Sequence, residues 1–339
     1  MHRSRKERIR LTVHRPTEKI TILAALGGNA ILQPKQEATY ENQLANVQRS
    51  CSVLARLVAQ GHRLVITHGN GPQVGNLLLQ QEEAQAEVPP LPLDVCTAQS
   101  QGFIGFMIQQ LLRNELASGG NGHSVVSLIT RVEVAADDPA FGNPSKPIGG
   151  FYTEEEAKQL MTGKGWQLKP DANRGWRRVV PSPRPQAIVE ADVVRQLLEL
   201  NQIVIACGGG GIPVVRQEDG SYTGIEAVID KDFSSCRLAR EIQADVLLIL
   251  TDVEHVYADY GRPDQRPLTS LTPSSAAEYI EAGHFSQGSM RPKVEAAASF
   301  AAQGGTAIIC SLNQADLALA GLAGTRIVPE TAEAPSYHR

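Results

Sequence analysis

Three times in this chain an apolar run of strand character ends directly in glycine. Residues 20–26 run into Gly27-Gly28-Asn29-Ala30, residues 64–67 into His68-Gly69-Asn70-Gly71-Pro72, and residues 203–207 into Gly208-Gly209-Gly210-Gly211-Ile212-Pro213. Glycine has no Cβ, so it admits positive φ and lets another group come close to the backbone. A strand that stops on such residues presents successive N–H groups, whose partial positive charges form a concavity suited to an anion. A tight turn explains any one junction alone. Asn29 and Asn70 each add a donor and an acceptor for which a plain turn has no use. Neither of the first two loops is a Walker A loop or a GxGxxG, so the commonest nucleotide folds do not account for them. Together the junctions point to an enzyme that handles phosphoryl groups and holds more than one phosphate.

Between these junctions, strand and helix signals alternate. Residues 43–60 place Leu44, Val47, Cys51, Leu54 and Val58 on one face and stop at Gly61, a helix with its C-terminal glycine. A strand over 63–67 follows, then a helix from Pro72, a residue suited to a first helical position. Residues 97–116 read as a long helix whose Gly102 and Gly105 permit close packing. Apolar or β-branched runs at 124–129, 203–207, 246–251 and 306–310 predict strands, with helices around 191–200, 233–242, 274–282 and 294–302. Near-continuous apolar strands spaced by helices imply an α/β fold, a mostly parallel sheet covered on both faces. At 339 residues and 42% hydrophobic content, the chain suits one large domain or two lobes.

A net charge of −4, without a basic stripe and interleaved aromatics, argues against a nucleic-acid partner. No apolar run approaches the roughly 18–20 residues of a membrane span. Cys51, Cys96, Cys207, Cys236 and Cys310 are odd in number and widely spaced, which fits a reducing compartment and neither a disulfide scaffold nor a zinc site. Cys207, beside a glycine loop, reads as a small buried hydrophobe. Residues 1–19 stand apart from the fold. Arg3, Arg5, Lys6, Arg8, Arg10, Arg15 and Lys19 face only Glu7 and Glu18. An organelle-targeting peptide, a disordered tail and an upstream start are all open readings of that segment.

One stretch breaks the alternation. Residues 135–185 are rich in Pro, Gly and charge and read as a long irregular insertion, which in a compact domain is usually a lid or binding loop. Within it Lys146 sits between Pro144 and Pro147, where it either meets a substrate phosphate with little entropy to lose or lies on the surface. Lys231 stands between Asp230 and Asp232 at a helix start, a place where the helix dipole favours acids and a lysine needs a reason. One reason is that Asp232 holds Lys231 ready for a transferring phosphoryl group. Gly288-Ser289-Met290-Arg291-Pro292-Lys293 likewise precedes a helix and offers N–H groups, a hydroxyl and a cation together.

The motifs at residues 25–30, 67–76, 146–149, 175–183, 207–213, 228–233 and 288–293, in this order and without large gaps, resemble those of the carbamate kinases of the amino acid kinase superfamily. Gly-Trp-Arg-Arg-Val-Val-Pro-Ser-Pro and the four-glycine loop carry the resemblance most specifically. It implies a three-layer αβα sandwich and a homodimer. Residues 20–206 would form the lobe for carbamate or carbamoyl phosphate, over Gly27, Gly28, Asn29, Gly69, Asn70 and Gly71, with the lid at 135–185. Residues 207–330 would bind ADP or ATP with Mg2+ near Gly209, Gly210, Gly211, Lys231, Met290 and Lys293, leaving 331–339 as a tail. Lys146, Lys231, Asp232 and Lys293 would be the catalytic residues. A cytoplasmic enzyme of arginine metabolism is also implied.

The chemistry agrees. Phosphoryl transfer asks a protein mainly for in-line positioning and for cations around the equatorial oxygens. Direct transfer needs no His or Cys nucleophile, so His68 reads as structural. Magnesium would be held by phosphates and water, with no protein metal site. The chain departs from the family pattern at Gly150, expected to loosen the lid, at Gln287, and at Arg291, an added cation expected near the nucleotide. A sister kinase acting on another small acid and a catalytically silent sensor are the rival readings. The fit of residues 67–76 speaks against the first, and the presence of all three lysines against the second.

Overall fold

The computed structural model of the protein describes residues 19–120, 122–171, 175–286 and 288–330. The expectations for the basic segment, Lys19 apart, for the tail and for Gln287 fall outside the described residues. The first half of the chain sets down β1 (Thr21–Leu26), α1 (Tyr40–Ala59), β2 (Arg63–His68), α2 (Gly71–Ala84), α3 (Leu93–Ser118) and β3 (Val125–Ser127). Local chemistry explains the start of α1, where the Thr39 side chain accepts from the Asn42 N–H. There follow β4 (Arg131–Val134), β5 (Lys146–Tyr152), α4 (Glu154–Lys164), β6 (Leu168–Pro170), β7 (Trp176–Val180) and β8 (Pro185–Ile188). Next come α5 (Ala191–Glu199), β9 (Ile203–Ile205), β10 (Ile212–Arg216), β11 (Tyr222–Gly224), α6 (Lys231–Glu241) and β12 (Val246–Thr251). The chain closes with β13 (Val256–Ala258), β14 (Arg266–Leu268), β15 (Ser270–Leu271), α7 (Pro273–Glu281), α8 (Met290–Ala301), β16 (Thr306–Ser311), α9 (Ala315–Leu319) and β17 (Thr325–Ile327).

Eight strands form one sheet in the spatial order β15-β17-β16-β12-β1-β2-β9-β3. From β16 to β3 every pairing is parallel, while β17 runs antiparallel to β16. Side chains of β1 alternate between faces, as the pleat requires. Leu23 and Ala25 join a core with Ile249 of β12 and residues of α5, α6 and α8. Ile22, Ala24 and Leu26 join another with α1, α3 and α9. All six residues of β1 are therefore buried, and their apolar character comes from helices on both sides. The expected three-layer sandwich is the observed one.

The stretch 135–185 differs from its expectation. It is regular over much of its length: β5, β7 and β6 form an antiparallel sheet of three strands, and α4 packs beside it behind a capping box of Thr153 and Glu156. Pro147, Gly149 and Gly150 lie inside β5, and Pro170 ends β6. This small subdomain is seated on the main body, since Ile148 and Val180 share a core with Val74, Leu78, Leu93 and Cys96. The Tyr152 hydroxyl donates to Glu82 Oε2 of α2 at 3.0 Å. A hydrogen bond of this kind contributes about 1 kcal/mol net. Tyr152→Phe should therefore speed hydrogen exchange of β5 and β7 amides by roughly 5-fold while β1 and β12 stay protected. Uniform protection in both regions would show that this contact does not hold the subdomain down.

Candidate active site

Because β1, β12 and β16 are parallel, their carboxyl ends open on one edge of the sheet, the place where open α/β sheets bind ligands. A cleft of about 560 Å³ lies there, lined by Gly27, Gly28, Asn29, Arg49, Asp252, Ser289, Lys293 and Asn313 among others. After β1 the chain makes a short helical turn, in which the Ala30 and Ile31 N–H groups donate back to the carbonyls of Gly27 and Gly28. Positive φ is not what this turn requires, for Gly27 has φ −63°. Close approach is: a Cβ on Gly27 would lie 3.0 Å from Leu250 O, and one on Gly69 would lie 3.3 Å from Gly28 N. The first two junctions thus pack against each other. At Gly28 and Gly71, by contrast, among the described residues nothing beyond the local backbone comes within 4 Å of a Cβ position, and both residues are exposed.

The third junction has another character. Cys207, Gly209, Gly210 and Gly211 all have positive φ, from 50° to 96°, and the loop is buried. A Cβ on Gly209 would sit 2.1 Å from Asn70 Nδ2, and one on Gly210 would sit 2.1 Å from Ile229 O. Glycine is required here by left-handed backbone and by packing together. Gly209, Gly210 and Gly211 do not line the cleft; they support Asn70 and the segment leading into α6. Asn70 is buried and donates to Ser100 Oγ at 2.8 Å. His68 is buried, and burial pushes its imidazole down to about 4, so it is neutral at pH 7. Cys207 is buried and free, and burial raises its thiol pKa. Met290 packs against the main core and does not line the cleft.

The charged residues converge at the start of α6. Asp230 caps this helix, its Oδ1 accepting from the Asp232 N–H at 2.9 Å. Its other oxygen accepts from Lys146 Nζ, reaching over from β5, at 2.7 Å. Lys231 Nζ donates to Leu26 O at the end of β1, 3.0 Å away, and lies 3.2 Å from Asp232 Oδ1. Lys293, in the first turns of α8, donates to Asp232 Oδ2 at 2.9 Å. Burial alone would raise the Asp232 pKa, but the ammonium groups of Lys231 and Lys293 outweigh it and hold the carboxyl below its ordinary value. Burial lowers the Lys231 pKa, helped by Lys293 and opposed by Asp232. The structure brings together the three lysines and the aspartate singled out in the sequence.

Sequence reasoning passed over three further residues. Asp230 was readable as a helix cap, yet its partner Lys146 is 84 positions away. Asp252 follows β12 directly at the carboxyl edge, a signal available in the pattern. Arg49 lies inside α1, where nothing in the local sequence marks it; it lines the cleft and, among the described residues, has no carboxylate partner. Of the departures, Gly150 falls in β5 where its pairing with β7 shifts register. Arg291 does not add a cation to the cleft as expected: its Nε donates to Glu295 Oε1 at 2.7 Å on the same helix. Among the described residues no three His, Cys, Asp or Glu side chains are grouped so as to hold a metal ion.

A parallel sheet with glycine turns and a Lys–Asp–Lys cluster at its carboxyl edge defines the class. The sequence model of the amino acid kinase family matches residues 21–311, and the chain belongs to that family. Within it, the chain is similar to carbamate kinases. It is 49% identical over 311 residues to the carbamate kinase of Pyrococcus furiosus, covering 91% of this chain and 99% of that relative. With the carbamate kinase of Thermococcus kodakarensis it shares 50% identity over 313 residues, again covering 91% and 99%. The structure of carbamate kinase from Giardia lamblia bound to AMP-PNP superposes with a TM-score of 0.87 at 44% identity, covering 93% of this chain and 100% of that one. The resemblance read in the sequence is borne out.

Asp232 offers a direct test of the cluster. Asp232→Asn keeps the shape and leaves two ammonium groups without their counter-charge, so unfolding in urea at neutral pH should become easier by about 3–5 kcal/mol. The folded pKa lies below the ordinary 3.8, so this contribution is complete above that value and is lost as pH falls through the folded one. The gap between wild type and variant should therefore narrow in acid. A gap that stays constant down to low pH would show that Asp232 stabilises by something other than its charge.

Proposed function

We propose that this chain catalyses reversible phosphoryl transfer between carbamoyl phosphate and ADP, giving ATP and carbamate, which breaks down to ammonia and CO2. The observation that carries the reading is the Lys231–Asp232–Lys293 cluster set directly beside the Gly27–Asn29 turn, with Lys146 delivered by the lid to Asp230. In the transfer, a terminal phosphate oxygen of ADP forms a bond to phosphorus as the bond from phosphorus to the carbamate oxygen breaks. No covalent intermediate with the chain is formed. Gly28 and Gly71, whose lack of a side chain nothing in the chain itself demands, leave room for a phosphoryl group to approach the backbone. Lys231 and Lys293 face charge on the transferring group, and Lys146 exchanges Asp230 for that group when substrate enters. Gly69, Asn70 and the 209–211 loop shape the floor behind it.

The nucleotide would lie over the end of β12 and the start of α8, beside Lys293. Magnesium fits this site as an ion carried by the nucleotide phosphates and water, since the cleft offers isolated carboxylate oxygen and no grouped ligands. When bound, the ion supplies charge neutralisation at the phosphates. A homodimer is supported by one face of α3, where Val95 and Phe106 are exposed and Gly102 leaves open space for a close neighbour. A cytoplasmic setting is supported by five buried, free cysteines, and no described helix is long and apolar enough to cross a membrane.

The test is ATP formation from carbamoyl phosphate and MgADP by purified protein. Lys146→Ala and Lys231→Ala should each lower kcat by about 10²–10³-fold, the scale of removing one preorganised group at developing charge. Activity that survives both substitutions would remove these residues from the proposed machinery. Absence of ATP with nucleotide binding intact would turn the reading toward a sister kinase or a silent sensor.

A further inference from the structure

Lys231, Lys293 and Lys146 bring cations to this site. Asn29, in the glycine turn itself, brings a carboxamide, which has a donating end and an accepting end. Its side chain is exposed and lines the cleft with Gly28 and Lys293. The shape of the amide does not decide which end faces the ligand; its neighbours do. Asn29 Nδ2 donates to Asp252 Oδ2 at 3.0 Å. A carboxylate only accepts, so a flipped Asn29 would set oxygen against oxygen. Asp252 is itself held in place, its Oδ1 accepting from Thr251 Oγ1 at 3.0 Å. Among the described residues Asn29 Oδ1 has no partner, and it is left as a free acceptor beside Gly28 and Lys293 in the cleft.

Phosphate and carboxylate oxygens cannot use such an acceptor. The carbamoyl amino group can, and it is the one donor that separates carbamoyl phosphate from acetyl phosphate, in which a methyl group takes its place. We propose that Asp252 is a positioning residue that sets the orientation of the Asn29 carboxamide, and that Asn29 Oδ1 thereby reads the amino group of carbamate or carbamoyl phosphate. This rests on the reaction proposed above and adds its substrate selectivity. A site that hydrogen-bonds a substrate N–H discriminates against the analogue lacking it, because its own polar group is then left unpaired.

The experiment compares kcat/KM for carbamoyl phosphate and for acetyl phosphate, with MgADP, in wild type, Asp252→Ala, Asp252→Asn and Asn29→Ala. Asp252→Asn keeps volume and hydrogen bonding but can pair with either end of Asn29, so it separates orientation from packing. The preference for carbamoyl phosphate should fall by about 3- to 10-fold in both Asp252 variants, the worth of one neutral hydrogen bond. Both donors share MgADP, so a change in KM for MgADP enters the two reactions alike and leaves their ratio to report on the amino group. In the Asn29→Ala background, Asp252→Ala should cause no further loss of preference, since one residue acts through the other. An unchanged preference in an active enzyme overturns the proposal, as does full additivity of the two substitutions. A loss confined to KM for MgADP or to magnesium dependence also overturns it, making Asp252 a nucleotide-side contact. A wild type that makes no ATP from either donor overturns the reaction itself, an outcome distinct from all of these.

Discussion

Asp232 holds two ammonium groups from two different helices beneath one end of a parallel sheet. Burying a carboxylate costs several kcal/mol unless partners repay it, and an isolated buried ammonium costs as much. One aspartate between two lysines is paired with both at short range and still leaves an excess of positive charge. That excess lies beside Leu26 O and the glycine turn that follows it, where a phosphate could balance it. The arrangement explains why Lys231 opens α6, where the helix dipole would favour an acid. Asp230 and Asp232 supply the negative charge at that helix start, and the lysine between them is directed to the end of β1.

The three glycine junctions look alike in sequence and differ in physics. At Gly27 and Gly69 the absent side chain lets two loops touch. At residues 208–211 it permits a buried left-handed turn against Asn70 and Ile229. Among the junction glycines, Gly28 and Gly71 alone have open space at the Cβ position. Three junctions that read alike are, in space, one pair of touching loops resting on a buried support.

Much of the fold was legible because both faces of the sheet are covered. Strand β12 matches the predicted 246–251 run residue for residue, since a strand buried on both sides must be apolar throughout. The stretch 135–185 reads as irregular in sequence because strands of three to seven residues, interrupted by Pro and Gly, lack the length over which alternation can be recognised. Within the site, Lys231, Lys293 and Asp232 could be found from their positions at helix starts, and Lys146 from its place between two prolines. The Lys146–Asp230 and Asn29–Asp252 contacts could not, because their partners are separated by 84 and 223 positions and no local rule couples them.

The sequence by itself determined the layered α/β architecture, through its local pattern of apolar runs and helix starts, and the family, through motifs that resemble those of known members. Tertiary structure alone decided which charges meet, which junction glycines are open and which are packing, and which way round Asn29 must lie. Those outcomes depend on distances between segments far apart in the chain, which only the closed sheet and the helices packed on it bring within hydrogen-bonding range.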